Sequence, residues 1–317
     1  MCRQQRNPLS VFASTIIAGG IFLSTFISPS VAKGDEKPEP KRTQLMMINA
    51  DGSGLQKIFS SEEFPSLGSP AFSPDGKQIA MDGWKSQNGE TFSKAHILVI
   101  NSDGTNLRDL GDGAMPSWSA DGKQVTFSRY SPRSGVWKMN IDGSNRELIE
   151  NGGWGAQWSP DGKRIAFSDY GLGEANLKIF DIEEDTFRYV FSFNESPYSR
   201  YYWNMCWSPD SKSLCFKGRT KAGHFELATV NIDQGIKSWK VHYSDPKKQP
   251  GEDVSWHPDG KQILCTLQSP EFKSRKIFIF NPLTKEKPVV VPSQTFDESP
   301  GSDCWSPDGK KLIFTIK

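Results

Sequence analysis

The stretch Tyr198-Ser199-Arg200-Tyr201-Tyr202-Trp203 places four aromatic rings and one guanidinium within six positions. Rings offer broad apolar faces and a guanidinium offers a fork of donors. Together they form protein-binding hot spots and sugar-stacking platforms. For Tyr202 and Trp203 the competing reading is structural: they open a strand and fill core. The same residue types stand singly at Trp84, Arg129, Tyr130, Trp154 and Tyr170, with Arg133, Asp169, Arg219, Lys221 and Arg275 among their neighbours in the layout below. A second chemistry belongs to Glu252, Asp253 and Asp303, together with Asp297 and Glu298. Such carboxylates suit a hard cation such as calcium, which takes oxygen ligands. Solvated loop carboxylates are the plainer alternative.

Catalytic patterns are sparse, and no catalytic residue is assigned. There is no Gly-x-Ser-x-Gly elbow to present a nucleophile. The four histidines, His96, His224, His242 and His257, lack metal-ligand spacing, and no Gly-rich phosphate loop precedes a helix. Asn101-x-Asp103-Gly104 and Asn140-x-Asp142-Gly143 begin like calcium loops, but no Glu closes a 12-residue loop, so hairpin turns explain them. No cofactor motif is present, and calcium at the acidic group is the one candidate.

The elements that position these residues come from a repeat. An aromatic residue, a Ser-Pro-Asp-Gly-Lys tag and an apolar run recur six times, with tags starting at Ser73, Ser119, Ser159, Ser208, His257 and Ser306. The steps are 46, 40, 49, 49 and 49 residues, the period of a propeller or solenoid. Within the tag, Pro presets φ at the second turn position, Asp suits the third, and Gly takes the φ > 0 site that closes a hairpin. Only Ser211 replaces that Gly, which predicts the most strained turn. Before each tag stands Phe72, Trp118, Trp158, Trp207, Trp256 or Trp305; after it come Ile79 and Met81, Val125 and Phe127, and their counterparts. These short β-branched and aromatic runs read as strands covered on both faces. A third strand ending near Asn101, Asn140, Asp181, Asn231 or Asn281 and a more polar fourth complete one four-stranded blade.

Residues 44–59 match a third and fourth strand with no first pair before them, whereas the last tag supplies a first and second strand with nothing after. Joining the two halves predicts an all-β, six-bladed β-propeller over residues 43–317, shut by a split blade that leaves no long free edge. In each blade the tag turns lie on one side, and the variable loops, with the residues singled out above, lie on the other.

The first 32 residues differ from the rest. Arg3 and Arg6 precede an apolar stretch, and Ser30-Val31-Ala32 offers small residues for cleavage after Ala32, the pattern of a secretory signal peptide. An uncleaved anchor is the alternative. Residues 33–42 are charged and Pro-rich, a disordered spacer. With 38 basic against 37 acidic residues, the chain lacks the charge bias of a nucleic-acid or membrane-surface binder. Four cysteines follow the leader, Cys206, Cys215, Cys265 and Cys304, all within predicted strands, where a small buried apolar role competes with disulfide formation.

The run Trp158–Phe167 and the turn Asn140–Asn145 resemble the TolB-type propeller repeat, and the likeness extends over residues 43–317. TolB itself carries an α/β domain before its propeller, for which this chain offers only leader and spacer. The resemblance implies a closed propeller, in some relatives with an ion in the channel, and similar repeats occur in carbohydrate lyases and prolyl-oligopeptidase-like enzymes. The expected function is non-catalytic: a monomeric protein of the periplasm or exterior, without stable membrane insertion once its leader is cut, that binds a protein or cell-envelope component through the variable loops and binds no nucleic acid. The alternative is a carbohydrate-acting, lyase-like enzyme with a metal in the channel.

Overall fold

A computed structural model describes residues 41–86, 92–171, 173–202, 204–251, 253–268, 274–284, 286–292, 294 and 299–317. The leader, residues 33–40 of the spacer, Trp203, Glu252, Asp297 and Glu298 lie outside the described residues.

Six antiparallel sheets form the propeller. In blade 1, Asp303–Trp305 is innermost, then Lys311–Ile316, then Gln44–Asn49 and Gln56–Phe59, so the first and last segments of the propeller share one sheet. Gln44 pairs with Ile316 and Asn49 with Lys311 in an unbroken ladder, which is the split blade expected from the sequence. The next three blades open on Ser66–Phe72, Ala114–Trp118 and Trp154–Trp158. Blade 5 has a divided inner strand, Tyr198–Tyr201 and Cys206–Trp207, and blade 6 opens on Val254–Trp256. Each inner strand touches the next, and Asp303–Trp305 touches Ser66–Phe72, which closes the ring.

The tag is more tightly wired than its turn type alone implies. Ser73 Oγ donates to Asp75 Oδ1 at 2.7 Å and accepts from the Gln78 amide at 2.9 Å, while Asp75 Oδ1 accepts from the Lys77 amide at 3.0 Å. The same three bonds recur at Ser119, Ser159, Ser208 and Ser306. In the fifth tag His257 Nδ1 takes the place of the hydroxyl and accepts from the Asp259 amide. Ser211 does sit at φ +59°, but its hydroxyl accepts the Asp161 amide of the neighbouring blade at 3.0 Å, which offsets the strain. The Asn-x-Asp-Gly segments are hairpin turns: Asp103 and Asp142 accept from Thr105 and Ser144.

Packing follows the predicted positions. Ile79, Val125, Ile165, Leu214, Ile263 and Leu312 are fully buried, as are Met81, Phe127, Phe167, Phe216, Cys265 and Phe314. Trp118 and Trp207 also donate to the carbonyls of Ala71 and Gln157 on the preceding blade, at 3.0 Å each. The cysteines are free thiols, with Cys206 opposite Cys215 in register and pushed well above the usual thiol range by burial and then by Cys215. No helix among the described residues is long and apolar enough to cross a membrane.

One repeated device escaped the sequence reading. Three residues before the tag aromatic, the inner strands of blades 2 to 4 bulge, with positive φ at Ser69 (46°), Met115 (59°) and Gly155 (69°), and Asn204 (63°) holds the same position in the break of the blade 5 inner strand. A bulge bends a strand and frees its ladder groups. Here the next-inner strand of the preceding blade takes some of them. Asp82 accepts the Met115 amide at 2.9 Å, and Ser128 accepts the Gly155 amide at 2.8 Å.

Candidate functional site

The inner strands enclose a cavity of about 130 Å³ lined by residues of all six blades, among them Ser69, Pro116, Gln157, Asn204, Asp253 and Asp303. The Asn204 amide spans this channel: it donates to Ser69 Oγ of blade 2 at 3.0 Å and to Asp253 of blade 6. Asp253 and Asp303 are therefore not carboxylates of an open mouth. They are 4% and 2% exposed. Burial, and then the Asp253 charge, push the Asp303 carboxyl well above the usual carboxylate range. Both Asp303 oxygens are buried without a hydrogen-bond partner among the described residues. Such an orphaned carboxylate is costly unless it holds a proton or a cation, and the oxygen-only donors fit a hard cation. Asp303, Asp253 and the Asn204 side chain are the groups that would hold one; Glu252 lies outside the described residues.

The histidines do not converge on this channel. His96 Nδ1 meets Asp109 at 2.9 Å on its own blade, and His224 is exposed on another. Among the described residues no three His, Cys, Asp or Glu side chains are grouped as metal ligands would be.

The loop side of blades 2 to 5 gathers most of the aromatic candidates. Tyr130, at the end of the second strand of blade 3, lies against Trp154, which opens blade 4, with ring centroids 4.0 Å apart. Trp84 and Trp154 both pack on the Ala95, Ala114 and Met115 cluster, which links blade 2 to blade 4. Tyr170, just after the second strand of blade 4, lies near Arg200 of blade 5, and the Arg200 guanidinium stands 5.9 Å from the Tyr202 ring. Tyr130 and Tyr170 are 44% and 47% exposed, high for such large rings.

Tyr198 and Tyr201 are not surface contacts. Their strand turns them into the core between blades 4 and 5. Tyr198 is fully buried, donates to Glu226 at 2.9 Å, accepts from Trp239 Nε1 at 3.1 Å and packs edge-on against Phe216. Burial drives its hydroxyl far above the usual tyrosine range. Gly218, the register partner of Tyr201, is required, because a Cβ there would come within 2.4 Å of the Tyr198 ring. Tyr201 bonds Ser196 at 3.0 Å and stacks near Phe191. Arg129 is likewise committed within the fold, 3.6 Å from Asp112 of the preceding blade and against the Trp137 ring. Arg133 bonds Asn151, and Lys221 faces Glu174 at 3.8 Å. The candidate contact set therefore contracts to Tyr130, Trp154, Tyr170 and Arg200, with Trp84 at its border; Tyr202, only 7% exposed, fills core as the structural alternative expected, with Arg200 and Lys217 beside its ring. Asn204 was missed by the sequence reading. Its clue was position: it occupies the bulge site, where Ser69 stands in blade 2.

Comparison with known proteins supports the architecture. A family model described as the TolB beta propeller domain matches residues 39–251 and 85–317. Among solved structures, the putative TolB of Agrobacterium tumefaciens superposes with a TM-score of 0.66 at 15% identity, over 87% of this chain and 98% of that one. TolB of Acinetobacter baumannii gives 0.60 at 16% identity, over 87% and 64%. At such identities the likeness is one of fold. Among curated proteins, Protein HIR1 of Candida albicans is 30% identical over 155 residues, 45% of this chain, which spans only 16% of that protein's length.

Proposed function

This chain belongs to the TolB β-propeller family, and from that premise we propose that it is an exported, non-catalytic binding protein that recognises a protein or cell-envelope partner through the loop side of blades 3 to 5. The observation that carries the reading is the gathering of Tyr130, Trp154, Tyr170 and Arg200 from three blades, with two of the rings nearly half exposed. Solvent-facing Tyr and Arg on a rigid ring are pre-organised for contact and lose little conformational entropy on binding. Export rests on the leader pattern of residues 1–32, and a role without nucleic acid rests on the balanced charge.

A channel cation is a second proposal, favoured by the orphaned Asp303 carboxylate. One experiment addresses both. Mature protein (residues 33–317) and its Tyr130→Ala/Tyr170→Ala variant are used to capture partners from envelope extract, with calcium or with chelator, and Tm is recorded in each buffer. The reading expects the variant to lose specific capture at unchanged Tm; equal capture removes this face from the site. A calcium-raised Tm that Asp303→Asn abolishes supports the cation, and a calcium-independent Tm removes it.

A further inference from the structure

Blade 5 carries an electrostatic arrangement that its own fold does not explain. Arg200 on the inner strand and Arg219 on Ser213–Thr220 are direct register partners. Like charges placed directly opposite on antiparallel strands destabilise a sheet. Both guanidiniums are exposed, and neither has a carboxylate within 4.0 Å among the described residues. Other cations of the loop and blade surfaces do find carboxylates, as where Arg188 meets Asp233 and Lys178 meets Glu150, each at 2.7 Å.

What holds the pair in place is aromatic instead. Arg200 stands 5.9 Å from the Tyr202 ring and Arg219 stands 5.5 Å from the Phe225 ring, and those two rings lie 6.4 Å apart. Lys217, two residues before Arg219 on the same side of the sheet, points its ammonium at the Tyr202 ring from 4.4 Å. A ring face attracts a cation without cancelling its charge. The two arginines are thus fixed in direction while their positive field stays open to solvent, near the half-exposed Tyr170 ring, whereas Lys217 is buried and donates to the Gly251 carbonyl at 3.0 Å.

We propose that this surface reads an acidic peptide segment of a partner protein, with carboxylates seated on Arg200 and Arg219 and adjoining side chains laid on Tyr170 and Tyr130. The inference rests on the loop-side reading above and names the partner's chemistry. Charge complementarity carries it: two uncompensated forks match two carboxylates. An anionic membrane or a polyanion fits less well, since the chain as a whole carries a formal charge of only +1 and lacks the broad basic field such surfaces need.

The test uses mature protein labelled with nitrogen-15 at arginine. The Nε–Hε signals of Arg200 and Arg219 are assigned by their loss in Arg200→Gln and Arg219→Gln. The probe is the acetylated, amidated peptide Gly-Glu-Glu-Tyr-Glu-Glu-Gly, with its Gln-for-Glu analogue as control. The Glu peptide is expected to shift both signals, to bind at least tenfold tighter than the Gln analogue, and to weaken as salt rises. Equal binding by the Gln analogue, undiminished binding to the double Gln variant, or a response confined to phosphatidylserine vesicles overturns the proposal. The envelope capture separates the two readings. If Tyr130→Ala/Tyr170→Ala abolishes capture while the double Gln variant retains it, the loop-side reading stands and the acidic partner falls. If both variants capture normally, both fall. Each substituted residue is exposed, so unchanged Tm verifies folding in every arm.

Discussion

The two sides of this ring treat their polar groups in opposite ways. On the tag side, polar groups close on one another: Ser donates to Asp, Asp accepts from Lys, and the next amide returns to Ser, repeated with one His variant around the ring. On the loop side of blades 3 to 5, Arg200 and Arg219 face each other without a carboxylate, and Tyr130 and Tyr170 leave nearly half their surface in water. A side whose polar groups are satisfied internally has little left to offer a partner. A side that keeps charge and apolar surface open bears a cost in stability that binding can relieve. Repetition here marks scaffold, and the departures from it mark where a ligand would act.

The largest test of the scaffold half is removal of residues 43–60, which deletes both N-terminal strands of blade 1 and uncovers the Lys311–Ile316 edge. Loss of a single cooperative transition in urea unfolding is expected, because the ring opens and the Leu45–Met47 packing disappears. A truncated chain that unfolds at the same midpoint would break the claim that closure holds the ring. Next in size is the contrast within one strand. Tyr198→Ala is expected to destabilise by about 3–5 kcal/mol, since it empties a packed site and strips a partner from Glu226. Arg200→Ala, two residues on, should stay within about 0.5 kcal/mol of the wild type. Equal losses would mean that Arg200 is scaffold as well.

That contrast also shows where sequence reading stops. The tags were legible because a Pro-Asp-Gly turn is decided locally, by φ preferences within four residues, and because complementary half-blades at residues 44–59 and 305–316 leave little choice of closure. Tyr198 and Tyr201 were taken as surface contacts because alternation along a strand cannot be phased through a register shift, and one lies between Tyr198 and Arg200. Arg129 was counted with the loop-side contact candidates, yet its Asp112 partner arrives from the preceding blade. The Asn204–Ser69 bond across the channel joins residues 135 positions apart, beyond any local pattern. The clustering of Tyr130, Tyr170 and Arg200 was legible only as a shared side of the repeat, while their actual contacts depend on how three blades fan around the axis.

The smallest expected effect separates the tag side from a buried group elsewhere by pH. Hydrogen bonds from Ser73, Ser119 and Ser306, followed by backbone amides, hold Asp75, Asp121 and Asp308 below the usual carboxylate range. Their stabilisation persists until pH falls below the normal aspartate value and is lost only as these depressed groups protonate. His242 responds earlier. Burial, and then the Lys240 charge, lower it from 6.5 to about 4, and its ring lies 5.1 Å from Phe280 with Nε2 on Thr229. Between pH 6.5 and about 4 the unfolded chain gains a proton there that the folded chain refuses. Stability is therefore complete above 6.5 and declines as pH falls toward 4. The decline is modest because His242 is only partly buried and solvent screens its charge. His242→Gln should flatten the Tm profile across that window while leaving the steeper acid limb, where the tag carboxylates protonate, unmoved. A profile with the same slope in the variant would assign the decline to groups other than His242.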